Sequence, residues 1–360
     1  MTNALGARRV RVLEKMVAHR PEVEALLVTT PENRRYLTGF TGSWGMAVLA
    51  SAELVLITDG RYVEQAAAEA PGSRIVRHGA DPLPAVKEVV QNLGATRIGF
   101  EKENMTVGMH QRLQTALEGV TLVPTEGLVE GVRMIKERGE LDLIRQAAAM
   151  TDAVLADCLH LIRPGATERE VAIALEFEMK RRGAGPAFEI IVVSGPRSSL
   201  PHGRPSSRAM ATGDLVTVDL GVQYQGYCSD LTRTFAIGHA DARQREVYAV
   251  VLAAQTAALE GLRPGMTGKE ADGLARSIIE QRGYGEQFGH GLGHGVGLAI
   301  HEGPRMSLTG DAPLPEGCVV TLEPGVYLPG WGGVRIEDLV ILRSDGAERL
   351  SNSPRELKIL

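Results

Sequence analysis

Residues 289 to 302 read GHGLGHGVGLAIHE, which sets His290, His294 and His301 within fourteen residues of glycine-rich chain. Imidazoles so close together point to metal ligation or proton transfer. The helical zinc-protease pattern H-E-x-x-H does not apply, because Gly291 stands where the glutamate would be. Gly291, Gly293, Gly295 and Gly297 would each cost a helix about 1 kcal/mol relative to alanine, so the stretch reads as an irregular loop or kinked strand. It is no phosphate cradle either, since no G-x-G-x-x-G threads these glycines and no G-K-[ST] follows.

Acids supply the rest of the chemistry. Asp219 lies in LVTVDLGV, and Asp230 follows the turn-like QYQGYCSD. A hairpin turning between Tyr224 and Gln225 sets the two acids directly opposite, with Cβ atoms about 5 Å apart on one face. Glu323 in VVTLEPGV and Glu337 in GVRIEDLV are opposite in the same way if YLPGWGG turns about Gly330. Like charges so placed repel, so either one stays protonated or a cation sits among them. Four carboxylates and one imidazole suit two divalent cations about 3.5 Å apart, bridged by water or hydroxide. Oxygen-rich donors favour Mn(II), with Co(II) and Zn(II) as alternatives. One of the three histidines then supplies the nitrogen ligand, the others stand beside the metals, and the glycines let the backbone come close to a substrate.

A duplication positions these residues. LIRPGATEREVAIALEFEMKRRG (161–183) returns as GLRPGMTGKEADGLARSIIEQRG (261–283), and GDLVTVDLGV (213–222) aligns with GCVVTLEPGV (317–326). The alignment sets Asp219 against Glu323, and LPHGRP against AIHEGP sets His202 against His301. Each half therefore contributes a helix and then a β-hairpin. Ahead of it, short β-rich runs alternate with helical ones in an α/β rhythm. The change of pattern at Gly127–Gly131 gives domains 1–131 and 132–360.

Composition bounds the function. A chain of 360 residues with 44% apolar and 23% charged residues is globular and long enough for two domains. A net charge of -5 disfavours nucleic acid or an anionic membrane as partner, and no apolar run approaches twenty residues. Cys158, Cys228 and Cys318, odd in number and far apart, suit a reducing compartment, so the protein is read as cytoplasmic.

The ordered set TVDLG, SDLTRTF, GHGLGHGVGLAIHE, TLEPGVY and GVRIED resembles the pita-bread peptidases, a family that includes methionine aminopeptidase, aminopeptidase P, Xaa-Pro dipeptidase and creatinase. The set is most similar to the proline-directed branch, and YLTGFTGS and the short chain to the small bacterial aminopeptidase P type. The resemblance implies an α/β (α+β) chain, with a creatinase-like N-terminal α/β domain before a pita-bread domain of pseudo-two-fold symmetry. It implies Asp219, Asp230, His294, Glu323 and Glu337 as ligands of two metals, with Asp230 and Glu337 bridging. His202, His290, His301, Glu323 and Arg335 become the catalytic residues, and a homodimer is expected. The implied activity is an Xaa-Pro aminopeptidase acting on proline-containing peptides through a metal-bridging hydroxide. The alternative is an Xaa-Pro dipeptidase restricted to dipeptides; a non-catalytic peptide-binding relative and a metal-dependent lyase are further readings. His290 and His301 are expected to stabilise the oxyanion or the leaving nitrogen, and His202 to hold the proline side. Arg34 and Arg35 are candidates to cap a substrate carboxylate, Phe40 and Trp44 either line the pocket or serve packing, and Cys228 is read as a small buried residue.

Overall fold

A computed structural model describes residues 2–360, with side chains from residue 4 onward. Two compact units divide between Arg133 and Met134.

The first unit opens with helix α1 (Thr2–His19). Its six-stranded sheet is built from β1 (Ala25–Val28), β2 (Met46–Ala50), β3 (Leu54–Thr58), β4 (Arg74–Arg77), β5 (Arg97–Glu101) and β6 (Thr121–Thr125), in the order β4-β3-β2-β1-β5-β6. Helices α2 (Pro31–Thr38), α3 (Val63–Glu69), α4 (Leu83–Asn92) and α5 (Val107–Ala116) connect the strands, and α6 (Glu130–Arg133) ends the unit. ALLV, MAVLA and LVLIT are buried at every position, as continuous apolar strands covered on both faces should be. One sequence expectation changes here and one open alternative is decided. Arg34 is buried and spends its guanidinium on the carbonyls of Gly42 and Gly45, so it holds a loop and has no free fork for a substrate. Phe40 is fully buried against Tyr62 in the unit's own core, which decides for packing.

The second unit shows the repeat as structure. Helices α7 (Arg138–Cys158) and α8 (Glu168–Arg181) lead through β7 (Gly185–Pro186) to β8 (Ile191–Ser194), β9 (Leu215–Leu220), β10 (Val222–Tyr224), β11 (Tyr227–Cys228) and β12 (Leu231–Ala236). Helices α9 (Ala242–Gly261) and α10 (Gly268–Gln281) lead to β13 (Gly293–Gly295), β14 (Glu302–Met306), β15 (Val319–Leu322), β16 (Gly325–Leu328), β17 (Gly332–Arg335), β18 (Asp338–Arg343) and β19 (Gly346–Arg349). The halves match in detail. Thr167 caps α8 with Glu170 as Thr267 caps α10 with Glu270, each a reciprocal capping box. The strand order β8-β9-β12 is repeated as β13-β15-β18. In each half the hairpin packs its apolar face on the helices, leaving the acid-bearing positions towards a shared centre.

Candidate metal centre

The second acidic hairpin has the register read from the sequence. Leu322 pairs with Asp338 and Gly325 with Arg335, so Glu323 and Glu337 face each other where the hairpin passes from one sheet into the next. The first hairpin differs. Leu220 pairs with Leu231, which sets Thr232, not Asp230, opposite Asp219. The turn is Gln225–Gly226, with φ of 46° and 86°, rather than Tyr224–Gln225. Two positive φ angles make the primed two-residue turn whose twist matches the strands. Because side chains alternate with period two, this two-residue slip keeps Asp230 on the face of Asp219 and makes the pair diagonal. Carboxylate oxygens of Asp219, Asp230 and Glu337 still lie within 4.8 Å of one another.

His294 completes the cluster. Its Nε2 lies 3.3 Å from Glu323 Oε1 and 3.7 Å from Asp230 Oδ2. Its Nδ1 is 3.1 Å from the carbonyl of Gly295, which can only accept, so Nδ1 carries the proton and Nε2 turns a lone pair towards the carboxylates. Thr321 fixes this corner, accepting from the His294 backbone N–H and donating to Glu323 Oε1 at 3.0 Å. Asp219 Oδ1 is enclosed and has no hydrogen-bond partner among the described residues. Four carboxylates and an imidazole thus converge with fewer donors than their electron pairs could use, and divalent cations fit that set.

Burial shifts several of these groups. It raises the carboxyl of Glu323 to about 7. Burial, with the neighbouring acids next, holds Asp230 and Glu337 well above the usual carboxylate range. Burial lowers His290 and His294 to about 4, so both rings are neutral at neutral pH.

Arg335 sits behind the acids, donating to Asp219 Oδ2 at 2.6 Å, to the Thr232 hydroxyl at 3.1 Å and to the Tyr327 hydroxyl at 2.9 Å. Thr232 in turn donates to Glu337 Oε2 at 2.7 Å. Tyr327 links Arg335 to His290, whose Nε2 is 2.9 Å from Oη. The other nitrogen, Nδ1, is 2.8 Å from the Gly291 carbonyl and must donate, so Nε2 accepts from Tyr327 and the ring has no spare N–H. His290 therefore anchors Tyr327 and does not, in this arrangement, donate to a substrate. Sequence reasoning missed Tyr327, Thr232 and Thr321, hydroxyl residues within strand-forming runs.

A cavity of about 570 Å³ opens on the cluster and is lined by all of Asp219, Asp230, His294, Glu323 and Glu337, together with His202, His290, His301 and Arg335. His202 and His301 are exposed to it. His301 lies edge-on to His294, ring centres 4.3 Å apart. The glycines serve a different purpose from the one expected. A Cβ on Gly291, Gly293 or Gly295 would meet the carbonyl oxygens of Met306, Thr321 or Gly303 at 2.5, 2.1 and 2.0 Å. They admit neighbouring backbone, and the segment becomes short strand β13 with a bulge between His294 and Gly295. Cys228 is buried, as read, and all three cysteines are free.

The model of metallopeptidase family M24 matches residues 142–344, and that of the creatinase/prolidase N-terminal domain residues 8–135. The chain is 37% identical over 348 residues to an Xaa-Pro dipeptidase of Pyrococcus furiosus, covering 96% of this chain and 99% of that one. Among solved structures, an Xaa-Pro dipeptidase from Bacillus anthracis is 43% identical with a TM-score of 0.94, over 98% of this chain and 100% of that one. An X-Pro aminopeptidase from Thermotoga maritima is 39% identical with a TM-score of 0.88, over 94% and 98%.

Proposed function

Since the chain belongs to metallopeptidase family M24, with a creatinase-like domain before the pita-bread domain, we propose that it hydrolyses the bond preceding proline in Xaa-Pro dipeptides. The observation that carries the metal dependence is the lone pair of His294 Nε2 turned on Glu323 and Asp230. The dipeptidase alternative is preferred to release of a residue from longer peptides because relatives along nearly the whole chain bear the dipeptidase name.

Asp219, Asp230, His294, Glu323 and Glu337 are the proposed ligands of two divalent ions, with Mn(II) favoured by the oxygen-rich set. Such ions supply Lewis acidity and make water nucleophilic near neutral pH. The chain's own groups do the rest. Glu323, on the cavity wall, takes and returns a proton. His301 and His202, exposed to the cavity, donate to the developing charge on the scissile oxygen and to the proline nitrogen as it leaves. Arg335, Tyr327 and His290 form a line of hydrogen bonds that fixes Asp219. The Xaa-Pro bond is a tertiary amide with no N–H for a general peptidase to grip, so a shaped apolar wall must recognise the ring; Phe188, Ile190 and Ile191 provide one.

Arg305 lines the same cavity, is exposed, and has no carboxylate partner among the described residues. We assign it to the free carboxylate of a dipeptide's proline. A cytoplasmic homodimer remains the reading of the cysteine pattern and of the family resemblance. The experiment is a chain-length series under one metal condition, comparing Ala-Pro with Ala-Pro-Ala and longer peptides. A dipeptidase cleaves Ala-Pro best, and Arg305→Ala raises KM for it. Equal or better cleavage of the longer peptides would return the assignment to an aminopeptidase.

A further inference from the structure

We propose that the buried pair Asp272 and Arg276 on α10 is a clamp that positions His290; the inference rests on the reading of His290 as a residue of the Xaa-Pro site. Arg276 pairs with Asp272 one turn away, Nε to Oδ2 at 2.5 Å and Nη2 to Oδ1 at 3.0 Å. The same guanidinium donates to the carbonyl of Phe288 at 2.9 Å and of His290 at 2.7 Å. Asp272 Oδ1 accepts the backbone N–H of Leu292 at 2.9 Å. Three alternate residues of the glycine-rich segment are thus tied to one helix by a planar fork and its counter-ion. The guanidinium also lies over the Phe288 ring at 4.2 Å, and that ring meets His290 edge-on at 5.0 Å.

Two further observations separate this pair from ordinary helix packing. In the first half of the duplication the corresponding positions of α8 are Ala172 and Glu176, so the pair occurs only in the half that carries the histidine segment. The segment also borders open space at the histidine. His290, Gly291 and Ser307 line the catalytic cavity and also a second cavity of about 640 Å³, in whose wall Arg276 lies. A histidine set between Gly289 and Gly291 and bordering two cavities keeps rotational freedom that buried Phe288 and Leu292 do not remove by themselves. The fork adds direction to that packing, and through His290 it sets Tyr327, Arg335 and Asp219. Arg276 is a positioning residue, in contact with no reacting atom.

Arg276→Lys tests this while leaving a cation beside Asp272, since an ammonium cannot span both carbonyls as the fork does. Expected are a fall in kcat on Ala-Pro of roughly 10- to 100-fold, an unchanged KM and unchanged bound Mn(II). In a His290→Ala background the same substitution should cost less than about twofold, because the residue it positions is gone. An unchanged kcat, or an equal loss in both backgrounds, overturns the proposal. A crystal structure of Arg276→Lys gives a readout independent of activity: the His290–Tyr327 hydrogen bond breaks while His294 stays beside Glu323. If wild type fails to cleave Xaa-Pro dipeptides, the functional reading falls, and that structure still decides the clamp: an unmoved His290 overturns it. Should the lysine variant not fold, Asp272→Asn with Arg276→Gln leaves no unpaired charge and takes its place in every measurement.

Discussion

His294 Nε2 faces Glu323 Oε1 across 3.3 Å, a lone pair turned on a carboxylate oxygen. The contact is favourable only with positive charge between the two atoms, as a proton or as a metal ion. Without metal, protons must fill that role, and burial, the largest cause, keeps them on the acids around His294 well above the usual carboxylate range.

Metal and protons should therefore compete. A carboxyl whose pKa is higher folded than unfolded binds more protons in the folded state. Its contribution to stability is full below the unfolded value of 4.5 and is lost as pH rises through the folded value, about 7 for Glu323. Chelated protein should lose Tm relative to Mn(II)-loaded protein between about pH 5 and about pH 8, and loading should release protons. Paired melting curves check this; a gap that stays constant or narrows with rising pH contradicts it.

His290 and His294 should fail differently. His294→Ala removes a ligand and loses metal together with activity. His290→Ala lowers kcat roughly 10- to 100-fold with metal retained, because it releases Tyr327 and not the ions. Metal stoichiometry and kcat on both variants decide; equal metal loss would make His290 a ligand.

Thr232 is expected to matter although it is neither acid nor base. Its hydroxyl receives from Arg335 and donates to Glu337. Thr232→Val keeps the shape and removes both bonds, so Mn(II) affinity should fall roughly 10- to 100-fold with little change in fold. Calorimetric titration measures it, and wild-type affinity would show that the hydroxyl does not hold Glu337.

The first hairpin turns on Gln225, a residue with a side chain at φ 46°. Gln225→Asn should stabilise the protein by on the order of 1 kcal/mol, since asparagine tolerates this region far better. Denaturant midpoints would report it. A loss of stability would mean that the Gln225 side chain contributes more than its backbone costs.

The acids were legible because their surroundings are periodic and duplicated. Glu323 and Glu337 fell into register because the glycines of YLPGWGG centre their loop. Asp219 and Asp230 did not, because Gln225 gives no sign that it will accept a left-handed turn. Tyr327, Thr232 and Arg276 were invisible for another reason. Their partners lie 12 to 105 residues away, except Asp272, 4 residues before Arg276, and Arg335, 8 residues from Tyr327 across a turn, and hydroxyls and arginines are too common for type alone to mark them. Arg34 looked available because a sequence does not display the carbonyls of Gly42 and Gly45 that occupy it.

The central claim is that five side chains from two duplicated hairpins and the glycine-rich segment hold the metal ions. Anomalous diffraction from crystals loaded with Mn(II) tests it most directly. The account predicts two peaks that between them lie within coordination distance of carboxylate oxygens from Asp219, Asp230, Glu323 and Glu337, with one also bound by His294 Nε2. An absence of peaks at this cluster in crystals of active enzyme, or peaks ligated elsewhere, would contradict it.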